Sequence, residues 1–404
     1  MSEPNPIIYR LRGDKVIWTV VLLLSLTSLA AVYSSSCSLA LREGKTTFDI
    51  LLRQLSLIVL GLTALYICYK IPLKYYRSFA NILMFASIGL LIATIFVGKS
   101  INSASRWIEI FGFSFQPSEI AKICTILYIA KTVEKNTLET FNEFTLRILV
   151  PVSIVLVLIL CGSASQALLL AFICCLILYV SDVKRSHLLK SAGIIGAGLI
   201  LILILHFTFG IFGRIDTAIS RIKNNDTEQL NNKNLSPEDR KELENSTFQK
   251  RMAKVAISSA GIIGKGPGKS TQRYVLPHPY SDFIYAIIVE EYGLIGGVVV
   301  LMLYLWLLFR CMTLAYSCTK PFSRIVVIGL GLMITFQALL HMMVNVTLIP
   351  VTGHTLPLIS LGGTSIIIMG GAFGIILSIS RTIEITKENN TKKIEANVGE
   401  ENYN

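Results

Sequence analysis

The sequence predicts an all-α polytopic membrane protein: ten transmembrane helices, both termini cytoplasmic, and a large external loop between helices 7 and 8. Three observations carry this. Of the 404 residues 53% are hydrophobic and only 15% charged, and the charged minority crowds into short intervals between apolar runs. Those runs, at 16–32, 55–69, 82–97, 120–130, 148–161, 167–180, 192–209, 283–309, 325–348 and 366–379, are long enough with their flanks to cross a hydrocarbon core of about 30 Å as helices. Finally, the intervals assigned to the cytoplasm hold nineteen Lys and Arg against five in the short external intervals, the asymmetry that orients membrane proteins. The loop 212–282 carries twelve more but is long enough to be exempt from that rule. The net charge of +12 is therefore topology plus one basic loop, and no nucleic-acid partner is implied.

Taken in order, the chain divides into a cytoplasmic head (1–15), a membrane domain (16–381) and a charged, Asn-rich cytoplasmic tail (382–404) expected to be flexible. The first span lacks a small-residue cleavage site and is read as retained. Seven of the eight cysteines fall in or at the ends of spans or on the inner side, leaving Cys37 external; neither a disulfide framework nor a zinc site is supported, and packing is the simplest role. Within the large loop, 214–246 is polar and gives no reason to expect stable structure. From 247 an amphipathic helix is expected, with Phe248, Met252, Val255 and Ala256 on one side and Lys250, Arg251 and Lys254 around it, lying on the membrane surface. It leads into GIIGKGPGK, where backbone N–H groups near Gly264 and the side chains of Lys265 and Lys269 could face an anion, although such turns are commonly only turns.

Three external stretches hold residues that anchoring does not require. In 100–131, Arg106 and Trp107 sit in the loop, Pro117 suits a first helical turn, and Glu119 and Lys122 share a face at i, i+3. Such intramembrane ions mark either a functional site or a neutral pair that fastens helices, and Trp107 alone suits an interfacial anchor. In VLPHPYSDFIYAIIVEEYGLIGG, 275–297, Asp282 precedes the eighth span. A helix N-cap explains an Asp there, but not the two-proline lead-in that fixes where it points. Glu290 and Glu291 lie deeper, and one of them must face the protein interior or a wet cavity. In 345–365, Pro350, Gly353, Pro357, Gly362 and Gly363 break an apolar span, and such backbone is tolerated only in protein or beside a cavity. A substrate groove follows from it.

The combination RWIEIFGFSFQPSEIAK, LPHPYSDFIYAIIVEEYGLIG and IPVTGHTLPLISLGGTS resembles the SEDS family of cell-wall polymerases, the FtsW cell-division branch more than the RodA elongation branch. The resemblance runs from the first span to about residue 381. It implies a ten-span enzyme of the cytoplasmic membrane, at the septum, that polymerises lipid II into glycan strands at the outer face. Its implied partners are a class B penicillin-binding protein, which supplies transpeptidation, and other divisome membrane proteins. The family's essential acid falls on Asp282, its QPSE-x-x-K element on Gln116 through Lys122, and its Arg-Trp on Arg106 and Trp107. Candidate substrate and pyrophosphate contacts are then Arg106, Trp107, Gln116, Ser118, Glu119, Lys122, Gly264, Lys265, Ser281, Ser360 and Gly362. The sequence departs from the family at His278 and Tyr280, where many members have Glu and His, and at CGSASQA (161–167) in place of a Gln-Pro-Asp segment.

The chemistry so implied is attack of an acceptor GlcNAc 4-hydroxyl on the anomeric carbon of a donor MurNAc, with loss of undecaprenyl pyrophosphate. Asp282 is the candidate base; Arg106 and Lys122 are candidate charge sinks, with a divalent cation (Mg or Mn) compatible and no metal assigned. Direct displacement would invert the anomeric centre. Two readings from other classes stand beside this one: a lipid II flippase, which broken helices and intramembrane charges also suit, and a non-catalytic division scaffold.

Overall fold

A computed structural model describes residues 12–97, 99–101, 104–110, 113–135, 138–181, 183–193 and 237–401. The helices in chain order are α1 (Lys15–Ser35), α2 (Cys37–Glu43), α3 (Thr47–Lys70), α4 (Leu73–Val97), α5 (Pro117–Lys135), α6 (Phe141–Gly162), α7 (Ala164–Val180), α8 (Pro237–Ser258), α9 (Ile284–Tyr316), α10 (Pro321–Asn345) and α11 (Thr364–Glu401). Seven of them, α1, α3, α4, α6, α9, α10 and α11, are long and apolar enough to cross a membrane, and α7 is a shorter apolar helix. The chain is a polytopic membrane protein. The span expected at 192–209 lies almost entirely outside the described residues, as does the loop up to 236; the other nine expected segments fall on helices.

Local chemistry explains the helix starts. Asp14 caps α1 by accepting from the N–H groups of Val16 and Ile17, and Thr46 with Asp49 forms a capping box on α3. Pro117 and Pro321 open α5 and α10, where a missing N–H costs nothing. The helix α10 forms the centre: 83% of its most apolar window is buried within the protein, against 28–44% for α1, α3, α4, α6 and α9. Opposite ends of the chain meet at Asp14, whose carboxylate takes Arg310 Nε of α9 at 2.5 Å while its N–H donates to Ser380 of α11 at 2.8 Å.

The pair α3 and α11 packs backbone on backbone. A Cβ on Gly370 would lie 2.1 Å from the carbonyl oxygen of Gly61, so only glycine fits that crossing. Gly370→Val should separate the two helices and, like other overpacked cores, cost about 1–3 kcal/mol or more. Thermal unfolding in detergent checks this, and an unchanged midpoint would count against the close crossing.

Three expectations need correction. The stretch that holds Arg106 and Trp107 is not simply loop: β1 (Lys99–Ile101), β2 (Ala104–Ile110) and β3 (Phe113–Phe115) form a three-stranded antiparallel sheet, so the fold is not purely α. The alternations Ile108-Glu109-Ile110 and Phe113-Ser114-Phe115 supply the strand signal. The helix expected from 247 begins ten residues earlier at Pro237, because Ser236-Pro237-Glu238-Asp239 is itself a helix start. Ala253 and Ala256 pack with Leu276, Phe283, Ala286 and Ile287, while Phe248 and Val255 are exposed. Lastly, α11 continues as helical backbone to Glu401, through the segment expected to be a flexible tail.

Candidate active site

Asp282 sits in the turn between Pro277-His278-Pro279 and α9, and the N-cap explanation of it does not hold. The N-cap position is Phe283, which makes no side-chain cap bond. Capping comes instead from Asn345 at the end of α10, whose Oδ1 accepts from the N–H of Ala286 at 3.0 Å. The same amide donates through Nδ2 to the carbonyl of Asp282 at 3.0 Å and to that of His341 at 2.8 Å.

Three consecutive carbonyls of the turn are thereby clasped. Leu361 N–H donates to Tyr280 O at 3.0 Å, Ser360 Oγ to Ser281 O at 2.8 Å, and Asn345 to Asp282 O. The main chain is fixed by its own oxygens, and the half-buried carboxylate accepts from Ser281 Oγ at 3.0 Å. Gly353 passes beside it: a Cβ there would lie 3.9 Å from Asp282 Oδ2. Backbone strain gathers in the same two loops. Among the described residues, four non-glycine positions have positive φ, and His278, Thr347 and Leu358 are three of them. Asn345→Ala should remove the cap and one clasp together, lowering stability by about 1 kcal/mol. It should also loosen the Asp282 turn, which faster proteolysis between 276 and 283 would show.

The second pole is the Glu119–Lys122 pair on α5, brought together as the spacing requires. Lys122 Nζ lies 2.8 Å from Glu119 Oε1 and 2.7 Å from Gln337 Oε1, and the two charged residues are 0% and 2% exposed. Gln337 then donates through Nε2 to Thr355 O at 3.3 Å, and His341 Nδ1 bonds His354 O at 2.7 Å. The broken segment 346–363 is thus tied to α10 on one side and to the Asp282 turn on the other, so both poles are fastened to one loop. Gly362 is tight against Thr355, where a Cβ would come within 3.2 Å of its methyl.

Gln116 and Ser118 line a cleft of about 520 Å³, its open mouth included, between α4, α5, α6 and α7. Ser118 Oγ donates to Gln166 Oε1 across it, and Ser163 and Thr94 also line it. The segment 161–167 that departs from the family pattern therefore faces the Gln116–Ser118 element. Arg106 and Trp107 lie on β2, which leads through β3 into α5; their side chains are outside the described atoms.

Gly264 and Lys265 join neither pole. Lys265 Nζ is 2.5 Å from Glu290 Oε1, and its N–H and that of Gly266 donate to the carbonyls of Glu290 and Glu291. The anion that this glycine-rich turn faces is the chain's own Glu290, which also accepts from Ser270, Thr271 and Gln272. Both glutamates are buried, not just one.

Sequence reasoning missed Asn345, Gln337 and the basic residues of the α2–α3 region. Burial raises the Tyr280 phenol above its ordinary value, the charge of Asp282 adds to this, and Arg42 and Arg53 oppose it. Tyr280 therefore keeps its proton at neutral pH, with its hydroxyl 3.1 Å from His278 Nδ1. Among the described residues no three His, Cys, Asp or Glu side chains group as metal ligands.

The profile of the FtsW/RodA/SpoVE family, described as a cell cycle protein, matches residues 14–385, and the chain belongs to that family. Over 381 residues, 93% of this chain and 96% of the relative, it is 29% identical to a probable peptidoglycan glycosyltransferase FtsW of Geobacter metallireducens. It is 30% identical to the stage V sporulation protein E of Bacillus subtilis, over 91% of this chain and 97% of that one. In fold it is similar to a chain from a structure described as the coordination of polymerization and crosslinking by a peptidoglycan synthase complex. There the TM-score is 0.69 at 24% identity, with 92% of this chain and 98% of that chain covered.

Proposed function

We propose that this protein is a peptidoglycan glycosyltransferase that polymerises lipid II at the outer face of the cytoplasmic membrane, in septal wall synthesis. The observation that carries the reading is the Asp282 turn: the cap of α9 is supplied by Asn345 and the carbonyls of the turn are clasped, which fixes the main chain that presents the carboxylate. In this reading Asp282 takes the proton of the acceptor 4-hydroxyl as that oxygen bonds to the donor's anomeric carbon. The bond from that carbon to the pyrophosphate oxygen breaks, the centre inverts, and undecaprenyl pyrophosphate departs. Lys122, with Arg106 from β2, balances the leaving charge, and the Glu119–Lys122 contact opens on binding.

A magnesium or manganese ion, if used, would be held by Asp282 among the protein's groups and would neutralise pyrophosphate charge. We assign the chain ten spans, both termini in the cytoplasm and the segment 212–282 outside. The partner inferred is a class B penicillin-binding protein, in line with the polymerization-and-crosslinking complex that the fold resembles, within a divisome assembly.

The test is product analysis with lipid II in proteoliposomes. Polymerisation releases one undecaprenyl pyrophosphate per bond formed and builds a ladder of glycan strands. Translocation of lipid II without pyrophosphate release would favour the flippase, and neither activity in a stable complex would favour the scaffold.

A further inference from the structure

The segment 259–273 is spliced into α9 rather than draped over it. Gly293 has φ 71° and ψ −171° and breaks the helix. The amides freed on its far side, Leu294 and Ile295, donate to the carbonyls of Gly261 and Ile262 at 3.1 and 3.3 Å. The carbonyls freed on its near side, Glu290 and Glu291, accept from Lys265 and Gly266 at 3.0 and 2.9 Å. Contact is at backbone distance on both strands: a Cβ on Gly293 would lie 2.1 Å from Ile262 O, and one on Gly264 would lie 2.3 Å from Glu291 O. The loop thus replaces hydrogen bonds that the break removes, the condition for irregular backbone to exist at membrane depth.

Depth follows from α9 itself. Residues 283–291 are buried all round, whereas from Leu294 onward the helix shows an exposed apolar face: Leu294 58%, Ile295 55%, then Val298, Val299 and Met302. About twenty residues span the hydrocarbon, and counting them outward from Arg310, paired with Asp14 at the other end, reaches Glu290. Leu294 then lies about 6 Å inside the hydrocarbon boundary at 1.5 Å per residue. The loop tip bonded to Leu294 and Ile295 carries two isoleucines with almost nothing on them, Ile262 at 69% and Ile263 at 80% exposure.

We infer that residues 259–264 form a re-entrant tip whose Ile262 and Ile263 insert among the acyl chains of the outer leaflet. The occupant is lipid because the tip that bears the exposed pair is joined by backbone hydrogen bonds to Leu294 and Ile295, where the exposed apolar face of α9 begins. The Lys265–Glu290 pair, its glutamate buried and its lysine partly exposed, sits one turn above, where it holds the loop down from the headgroup side. The large external segment is then anchored in the bilayer directly beside α9, the helix that the Asp282 turn leads into.

The experiment places an NBD label on Ile263→Cys in full-length protein with its eight native cysteines replaced, reconstituted in nanodiscs; Lys269→Cys, on the same loop and exposed, is the control. The expected result at 263 is blue-shifted emission, quenched severalfold more by lipid carrying a doxyl group than by aqueous iodide, with the reverse at 269. Iodide quenching at 263 equal to that at 269 would place the tip in water and overturn the inference. Blue-shifted emission untouched by either quencher would mean that protein covers the tip, which also overturns it. An environment-sensitive amino acid encoded at position 263 repeats the measurement with the native cysteines in place, should their removal disturb folding.

Discussion

Asp282→Asn should reduce glycan-strand formation by roughly 10²–10⁴-fold, the range over which a positioned base acts, without changing the thermal midpoint of the protein. The two halves of this expectation rest on different contacts. Stability is spared because the turn is held through main-chain oxygens at 280, 281 and 282, none of which the substitution touches. The asparagine also keeps an oxygen that can accept from Ser281 Oγ, as Asp282 does at 3.0 Å. Activity is lost because an amide takes no proton at neutral pH. A fall in both together would instead show that the carboxylate serves the fold.

Lys122→Met should be the most destabilising single change at the site, at about 3–5 kcal/mol, because it strands a buried carboxylate. Glu119 is 2% exposed, and its Oε2 already has no hydrogen-bond partner; without the ammonium its Oε1 would lose one too. The double variant Glu119→Gln, Lys122→Met removes both charges and should regain most of that stability, as replacement of buried pairs by neutral groups generally does. It should nonetheless stay inactive if Lys122 balances pyrophosphate. Thermal unfolding of the single and double variants, read beside their polymerase rates, separates fastening from catalysis. Full activity in the double would remove Lys122 from the proposed chemistry.

The sequence made some of this legible and hid the rest for physical reasons. Glu119 and Lys122 were readable because an i, i+3 pair is fixed by the helix itself, and Asp282 because prolines constrain its approach. Asn345 was not, since it looks like any polar residue at a helix end; its role appears only when α10 stops beside the first turn of α9, 59 positions away in sequence. The glycine-rich turn at 261–268 suggested anion binding for a sound reason, but its anion, Glu290, belongs to α9, 25 residues on from Lys265. Local pattern gives the donors and not the acceptor. The three-stranded sheet is faint in the sequence because its strands are short and lie between much longer apolar runs, with alternation confined to Ile108-Glu109-Ile110 and Phe113-Ser114-Phe115.

The central claim is that Asp282 is the base of a lipid II polymerase. Its most direct test is the rate of glycan-strand formation from purified lipid II by the parent protein and by Asp282→Asn, each with a transpeptidase-dead penicillin-binding partner and matched thermal midpoints. The account predicts strands from the parent and essentially none from the variant. Strand formation by Asp282→Asn at the parent rate would contradict it.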